Sequence, residues 1–111
     1  MRTLTQVQDV VAWLQSQGAR RLVVDSRQVQ PGDAFVAWPG AATDGRQYVQ
    51  TAMQAGAVAC LVEAQGADAY EWGNAPVVAM PALKIHAGSV ASAFYANPSQ
   101  DLCVVAITGT N

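Results

Sequence analysis

The stretch that decides the fold is Arg20–Trp38, with the sequence RRLVVDSRQVQPGDAFVAW. It contains two short apolar runs, at residues 20–24 and 34–38, separated by a connection that holds Asp-Ser-Arg and Pro-Gly-Asp. Apolar runs of this length, bounded by Asp, Ser, Pro and Gly, are typical of buried β-strands. The sequence therefore predicts two neighbouring strands, each ending in a polar or glycine-containing loop.

Helical and strand periods alternate on both sides of this stretch, which is typical of an α/β domain. Helices are predicted over three segments: residues 5–17, 45–55 and 82–95. Thr5 is the expected cap of the first helix, and Gly18 and Gly56 are the expected stops of the first two. Further strands are predicted at residues 57–62, 77–80 and 104–107. We expect an α/β fold in which helices pack on a mixed sheet of about five strands.

The composition describes one ordinary globular domain. The chain has 111 residues, 51% of them hydrophobic, which is enough for a single core. Its net charge is −2 and its six Lys and Arg residues are scattered, so we expect neither nucleic acid nor a membrane surface as a partner. No apolar run reaches the roughly 18 residues of a spanning helix, and the amino end does not resemble a signal peptide. We therefore expect a cytoplasmic protein.

The last eight residues, Val104–Asn111, have the sequence VVAITGTN. An apolar strand that leads into a glycine turn is how a P-loop begins, but the second glycine, the lysine and the hydroxyl residue are not in the sequence. A strand that ends in an ordinary turn is the alternative. We interpret the chain as a fragment in which residues 1–98 form one domain. Residues 99–111 would then be the linker and first strand of a truncated ATP-binding domain.

No catalytic or metal site is predicted. His86 is the only histidine and has no acidic or thiol partner near it in sequence, so we expect a partly exposed helix residue. Three carboxylates, Asp25, Asp33 and Asp44, lie where Asp usually stabilises turns by local hydrogen bonding. With no nucleophile, base and orienting group to assemble, we expect no catalysis within this chain.

Both cysteines, Cys60 and Cys103, lie within apolar runs and have no second ligand at a metal-binding spacing. We expect buried free thiols, and the sequence leaves open a disulfide between them.

Several motifs follow one another in an order that resembles a known family. They are Val24-Asp25-Ser26-Arg27, Pro31-Gly32-Asp33-Ala34-Phe35-Val36-Ala37, Gly40, Asp44-Gly45-Arg46, Tyr48-Val49, Ala52, Gly56-Ala57, Glu63, Phe94-Tyr95-Ala96-Asn97-Pro98-Ser99, Leu102 and Val105–Asn111. Together they resemble the amino-terminal domain of the Mur ligases over residues 22–111, and most closely the branch that adds a diamino acid. The branch that adds D-alanyl-D-alanine and a ligand-free α/β interaction module remain the alternatives.

The resemblance implies a division of labour in peptidoglycan precursor synthesis. The domain in hand would bind the UDP moiety of UDP-N-acetylmuramoyl-L-Ala-D-Glu. A central domain would bind ATP and magnesium, and a carboxy-terminal domain would present meso-diaminopimelate or L-lysine. The whole protein would be an ATP-dependent amide-forming ligase whose partners, besides this substrate, are its own remaining domains. The isolated fragment would be inactive and would bind no cofactor.

The resemblance also implies which residues bind the substrate. Ser26 would donate its hydroxyl to the diphosphate, and Val24 would line the uracil pocket. The second contact segment would be Ala41, Ala42 and Thr43. Several relatives carry His and Gln where this chain has two alanines, so side-chain hydrogen bonds are excluded there and backbone amides and the Thr43 hydroxyl are left.

The resemblance also places two further groups of residues near the expected ATP-binding and UDP-binding sites. Gly109, Thr110 and Asn111 would begin the ATP loop, which is incomplete without its lysine. Arg27 and Arg46 are the cations nearest the UDP-binding loops, and Arg27 is equally suited to pairing with a carboxylate or with phosphate.

Overall fold

The computed structural model describes residues 2–40, 43–73 and 75–96. Its centre is a single sheet of five strands, β1 (Arg2–Thr3), β2 (Arg21–Val23), β3 (Asp33–Ala37), β4 (Ala59–Glu63) and β5 (Val77–Met80). The strands are ordered β1-β5-β4-β3-β2 and each pairs in parallel with its neighbour. The carboxyl ends of all five strands therefore lie at one edge of the sheet.

Three α-helices accompany the sheet: α1 (Val7–Ser16), α2 (Val49–Gln54) and α3 (Leu83–Ala96). Short 3-10 helices cover residues Ser26–Gln28, Gly45–Tyr48 and Ala67–Ala69. The α/β class, the three helices and the four strands predicted between residues 20 and 80 are confirmed, with bounds that shift by a few residues. The predicted strand at 104–107 lies outside the described residues, and β1 was not predicted, because two residues are too few to show a period.

The prediction of a mixed sheet was wrong. The connection from β2 to β3 contains only the 3-10 helix Ser26–Gln28, yet it crosses to a parallel neighbour. Every residue of β3, β4 and β5 is buried, which is the burial pattern of strands covered on both faces. Helical layers on both sides of a parallel sheet explain why these strands are apolar apart from Asp33 at the start of β3 and Glu63 at the end of β4.

Two apolar clusters, one on each face of the sheet, form the core. On one face, α1 and α3 bury Val10, Leu14, Val90 and Phe94 against strand residues such as Leu61. On the other face, α2 and its flanking turns pack on Phe35, Cys60, Val62 and Ala79. Side chains of one strand alternate between the two clusters, as the pleat requires.

The ends of α1 differ from the prediction at one position. Gln6, not Thr5, is the amino-cap residue, and its side chain makes no capping hydrogen bond. The stops are confirmed: Gly18 and Gly56 both have positive φ, at +83° and +114°, where a residue without a side chain is favoured.

The hydrogen bonds of Asp33, at the amino end of β3, agree with its predicted role in stabilising a turn. Arg21 donates from Nε and Nη2 to the Asp33 carboxylate, at 3.2 and 2.8 Å, and the Gln30 amide donates to the same group. The Arg21 guanidinium lowers the pKa of Asp33 from its ordinary value. This ion pair lies at the edge of the sheet opposite the carboxyl ends.

Cys60 is a buried free thiol, as predicted, and burial raises its pKa to about 12. Cys103 lies outside the described residues. Among the described helices, none is both long and apolar enough to cross a membrane.

Candidate functional site

A cleft of about 570 Å³ opens where β2 and β3 end. Its lining comes from the ends of these strands and the two loops that follow them: Val24, Asp25, Ser26, Arg27, Phe35, Val36, Ala37, Trp38, Thr43, Gly45 and Tyr48. Ligands of open α/β sheets usually bind in a crevice outside the carboxyl ends of the strands. The cleft is therefore the candidate functional site.

The first loop follows β2 and carries both apolar and polar groups. Val24 is 64% exposed, which leaves most of its side chain open to a ligand. The Asp25 carboxylate accepts the Arg27 amide at 2.9 Å and the Arg27 guanidinium at 2.9 and 3.1 Å. This bonding lowers the pKa of Asp25. Ser26 lies between them, and its hydroxyl makes no hydrogen bond within the described ranges.

The second loop follows β3 and is closed by backbone hydrogen bonds. The Gly40 amide donates to the Thr43 carbonyl at 2.8 Å, and the Gly45 amide donates to the Trp38 carbonyl at 3.2 Å. Pro39 and Asp44 form an antiparallel bridge across the base of this loop. Thr43 is exposed at the cleft, where its hydroxyl accepts a hydrogen bond from the Gln47 amide group.

The predicted contacts through the backbone amides of Ala41 and Ala42 stay a prediction, because both residues lie outside the described part of the chain. The chain enters a 3-10 helix at Gly45, and α2 proper has only six residues. The amides of Gly45, Arg46 and Gln47 already donate to Trp38, the Asp44 carboxylate and the Asp44 carbonyl. These three amides are therefore not free for a ligand, and the described cleft offers side-chain donors at Ser26, Thr43 and Arg27.

The two cations near the cleft differ sharply in exposure. The side chain of Arg27 is 87% exposed and lines the cleft, whereas Arg46 is only 5% exposed and does not. Arg46 bonds the Asp44 carboxylate and two backbone carbonyls, so its charge is neutralised inside the protein. Hydrogen bonds from Arg46 lower the pKa of Asp44, and the bond from Tyr70 to Asp44 raises the pKa of Tyr70.

The structure brings together three of the predicted substrate-binding residues, Val24, Ser26 and Thr43, in one cleft. Ala41 and Ala42 lie outside the described residues, as do the predicted ATP-loop residues Gly109, Thr110 and Asn111. The turn roles of Asp25 and Asp44 are confirmed by their bonds to the amides two residues later. Arg27 pairs with a carboxylate, and its pairing with phosphate stays a prediction.

Two aromatic side chains of the cleft were missed by the sequence analysis. Trp38 and Tyr48 both line it, and Tyr48 is 40% exposed. The sequence signal that could have identified them is their position, since Trp38 directly follows β3 and Tyr48 directly precedes α2. Within the described part of the chain, no group of three or more His, Cys, Asp or Glu could hold a metal ion, and His86 is partly exposed on α3.

The family match and the similar curated proteins that follow all name ligases. Residues 19–96 match the model of the family described as "Mur ligase family, catalytic domain". A UDP-N-acetylmuramoyl-L-alanyl-D-glutamate--2,6-diaminopimelate ligase from Acidovorax sp. (strain JS42) is 46% identical over 111 residues, which are 100% of this chain and 22% of that protein. The ligase of the same name from Janthinobacterium sp. (strain Marseille) is 44% identical over 98% of this chain and 22% of its own length.

The chain thus spans about a fifth of the length of these relatives. A solved structure, the MurF ligase from Thermotoga maritima in complex with ADP, is 29% identical over 60% of this chain and 14% of its own. The TM-score between the two structures is 0.46. The family match covers well over half of the residues, including both cleft loops. This chain belongs to the Mur ligase family.

Proposed function

We propose that this chain is the UDP-binding first domain of a cytoplasmic ligase that adds 2,6-diaminopimelate to UDP-N-acetylmuramoyl-L-alanyl-D-glutamate, the tripeptide-forming step of peptidoglycan precursor synthesis. The names of its relatives support the reaction and the diamino acid. The observation that carries the local role is the cleft, because it joins Val24, Ser26 and Thr43 from two separate loops.

The chemistry of the cleft suits a nucleoside diphosphate. Val24 and Tyr48 offer apolar surface for a base and ribose. Ser26 and Thr43 offer hydroxyl groups, and Arg27 offers a guanidinium that can meet phosphate oxygens in a bidentate manner. In the free chain Asp25 holds Arg27 at the cleft, so the cation is in place before a ligand arrives. Binding and orientation of the substrate, not catalysis, are the roles of this domain.

The remaining chemistry belongs elsewhere in the proposed ligase. Residues 1–98 would form the UDP-binding domain, and residues 99–111 would lead into a central domain that binds ATP and magnesium. ATP would supply the phosphoryl group that activates the substrate carboxylate for amide formation. In this proposal the part of the described residues is to hold the UDP end of the substrate.

The first prediction concerns the Ser26 hydroxyl. In the complete ligase, we expect Ser26→Ala to raise the KM for the UDP-sugar-dipeptide by about tenfold, because a hydrogen bond to a charged group is lost. The KM for ATP should be unchanged. Steady-state kinetics with each substrate varied in turn measures both values.

The matched control is Ser92→Ala, which removes an exposed hydroxyl from α3, away from the cleft. An equal KM for the UDP-substrate in all three proteins would contradict the role of Ser26. The reaction itself is tested with two substrate pairs: diaminopimelate with the UDP-sugar-dipeptide, and D-alanyl-D-alanine with the UDP-sugar-tripeptide. Turnover of the second pair alone would assign the chain to the branch that adds D-alanyl-D-alanine.

A further inference from the structure

The sequence contains the same motif, Asp-x-Arg, after each of two adjacent strands. Asp25-Ser26-Arg27 follows β2, and Asp44-Gly45-Arg46 follows the loop at the end of β3. In both, the carboxylate accepts the arginine amide at 2.9 Å and the arginine guanidinium on the same oxygens. The local geometry is alike, but Arg27 is exposed at the cleft and Arg46 is buried. The two arginines therefore serve different purposes.

Arg46 joins the turn at Asp44 to the carboxyl end of β4. Its Nε and Nη2 atoms donate to Asp44, with an Nη2–Oδ2 distance of 2.7 Å. Its Nη1 atom donates to the carbonyl of Glu63 at 2.8 Å and to that of Gln65 at 2.6 Å, both at the carboxyl end of β4. A bidentate guanidinium suits this geometry, and a lysine ammonium could not reproduce it.

Tyr70 completes the arrangement from a third direction. Its hydroxyl donates to Asp44 Oδ2 at 3.0 Å, and the Arg46 guanidinium lies 5.3 Å from the centre of its ring. Asp44 is thus held from the side of Arg46 and from the side of Tyr70. Neither Arg46 nor Tyr70 lines the cleft, so neither contacts a ligand there directly.

Asp44 is the residue through which this arrangement reaches the cleft. It bridges to Pro39 across the base of the loop, and its neighbours Thr43 and Gly45 both line the cleft. Fixing Asp44 therefore fixes the closing point of the loop that bears Thr43. A loop held in its binding conformation loses less conformational entropy when a ligand arrives.

We infer that Arg46 and Tyr70 are positioning residues, which fix Asp44 and thereby hold its cleft-lining neighbours Thr43 and Gly45 in the arrangement that binds the UDP end of the substrate. This inference rests on the proposed function, since it assumes that the cleft takes a nucleoside diphosphate. It goes further by assigning a role in binding to two residues outside the cleft.

The test measures UDP affinity by calorimetry and KM by kinetics in the complete ligase. We expect Arg46→Lys to raise the Kd for UDP by about tenfold, as expected for loss of preorganisation. We expect a smaller rise for Tyr70→Phe, which removes a single hydrogen bond. In both variants the KM for the UDP-substrate should rise while kcat and the KM for ATP stay the same.

Two matched controls separate positioning from general loss of stability. Arg21→Lys disturbs a bidentate pair with Asp33 at the opposite edge of the sheet, where the arginine is half-exposed. Tyr95→Phe removes a hydroxyl that accepts a hydrogen bond from the Leu22 amide at 2.8 Å. Both controls should lower the thermal midpoint and keep the wild-type Kd. If Arg46→Lys does not fold, the Kd values of Tyr70→Phe and Tyr95→Phe for UDP are compared, and only that of Tyr70→Phe should be raised.

The inference is overturned if Tyr70→Phe and Arg46→Lys bind UDP as tightly as the wild type, or if the controls weaken binding equally. A wild-type ligase that does not bind UDP would instead overturn the proposed function. The two failures are therefore distinguishable.

Discussion

Gly56→Ala is expected to lower the free energy of unfolding of this chain by about 3 kcal/mol. The substitution places a methyl group on a residue with a left-handed backbone conformation, at a position where other atoms already occupy the space. Gly56 has a φ of +114° and ends α2. A Cβ at this position would lie 2.7 Å from Pro31 Cα and 2.9 Å from Pro31 N, both backbone atoms that cannot rotate away. The Gly56 carbonyl also accepts the Gly32 amide, which fixes the turn before β3.

Gly18→Ala is the matched control for this substitution. Gly18 ends α1 with a φ of +83°, but a Cβ there would meet no atom within 4 Å. We expect Gly18→Ala to lower the free energy of unfolding by only about 1 kcal/mol, which is the cost of the left-handed backbone conformation without a steric clash. Urea denaturation of both variants measures the difference. Equal losses would show that the close approach to Pro31 does not limit this position.

Glu63→Ala should cost about 3 kcal/mol of folding stability, since it leaves one buried and two part-buried backbone amides without their acceptor. The Glu63 carboxylate accepts the amides of Leu83 at 2.9 Å, Ala82 at 3.2 Å and Gln65 at 3.1 Å. It therefore caps the start of α3 from the end of β4. It also supports Ala82, which has a positive φ of +53° without being glycine.

Glu63→Gln keeps the shape of the side chain and one acceptor oxygen, so its loss of folding stability should lie between those of Glu63→Ala and Glu71→Ala. Glu71→Ala, which removes an exposed carboxylate from the connection between β4 and β5, should change stability by less than about 0.5 kcal/mol. Urea midpoints rank the three variants. If Glu63→Ala is no worse than Glu71→Ala, water or another group must satisfy the start of α3.

Much of the fold could be predicted because its signals are local. The helical period of the apolar residues predicted helices over residues 5–17 and 82–95, and Val10, Leu14, Val90 and Phe94 of these segments are buried against the same face of the sheet. Strand direction carries no comparable local signal. Periodicity reports which side chains are buried, whereas the parallel pairing of β2 with β3 depends on how the nine-residue connection crosses between them.

The residues of the candidate site were predicted from the family resemblance, and their positions after strand ends explain why they meet. Val24, Ser26 and Thr43 belong to loops after neighbouring strands, and parallel pairing places those loops together. The burial of Arg46 could not be predicted, because its partners at residues 63, 65 and 70 are distant in sequence. A local pattern gives Arg27 and Arg46 the same Asp-x-Arg turn, and only the tertiary structure distinguishes them.

The central claim is that the cleft between the loops after β2 and β3 binds the UDP moiety. A two-dimensional NMR titration of this chain with UDP, up to about 5 mM so that millimolar affinity is detected, tests it most directly. We predict shifts that cluster at residues 24–27 and 43–48 and that weaken in Ser26→Ala. An unchanged spectrum, or shifts confined to residues away from the cleft, would contradict the claim.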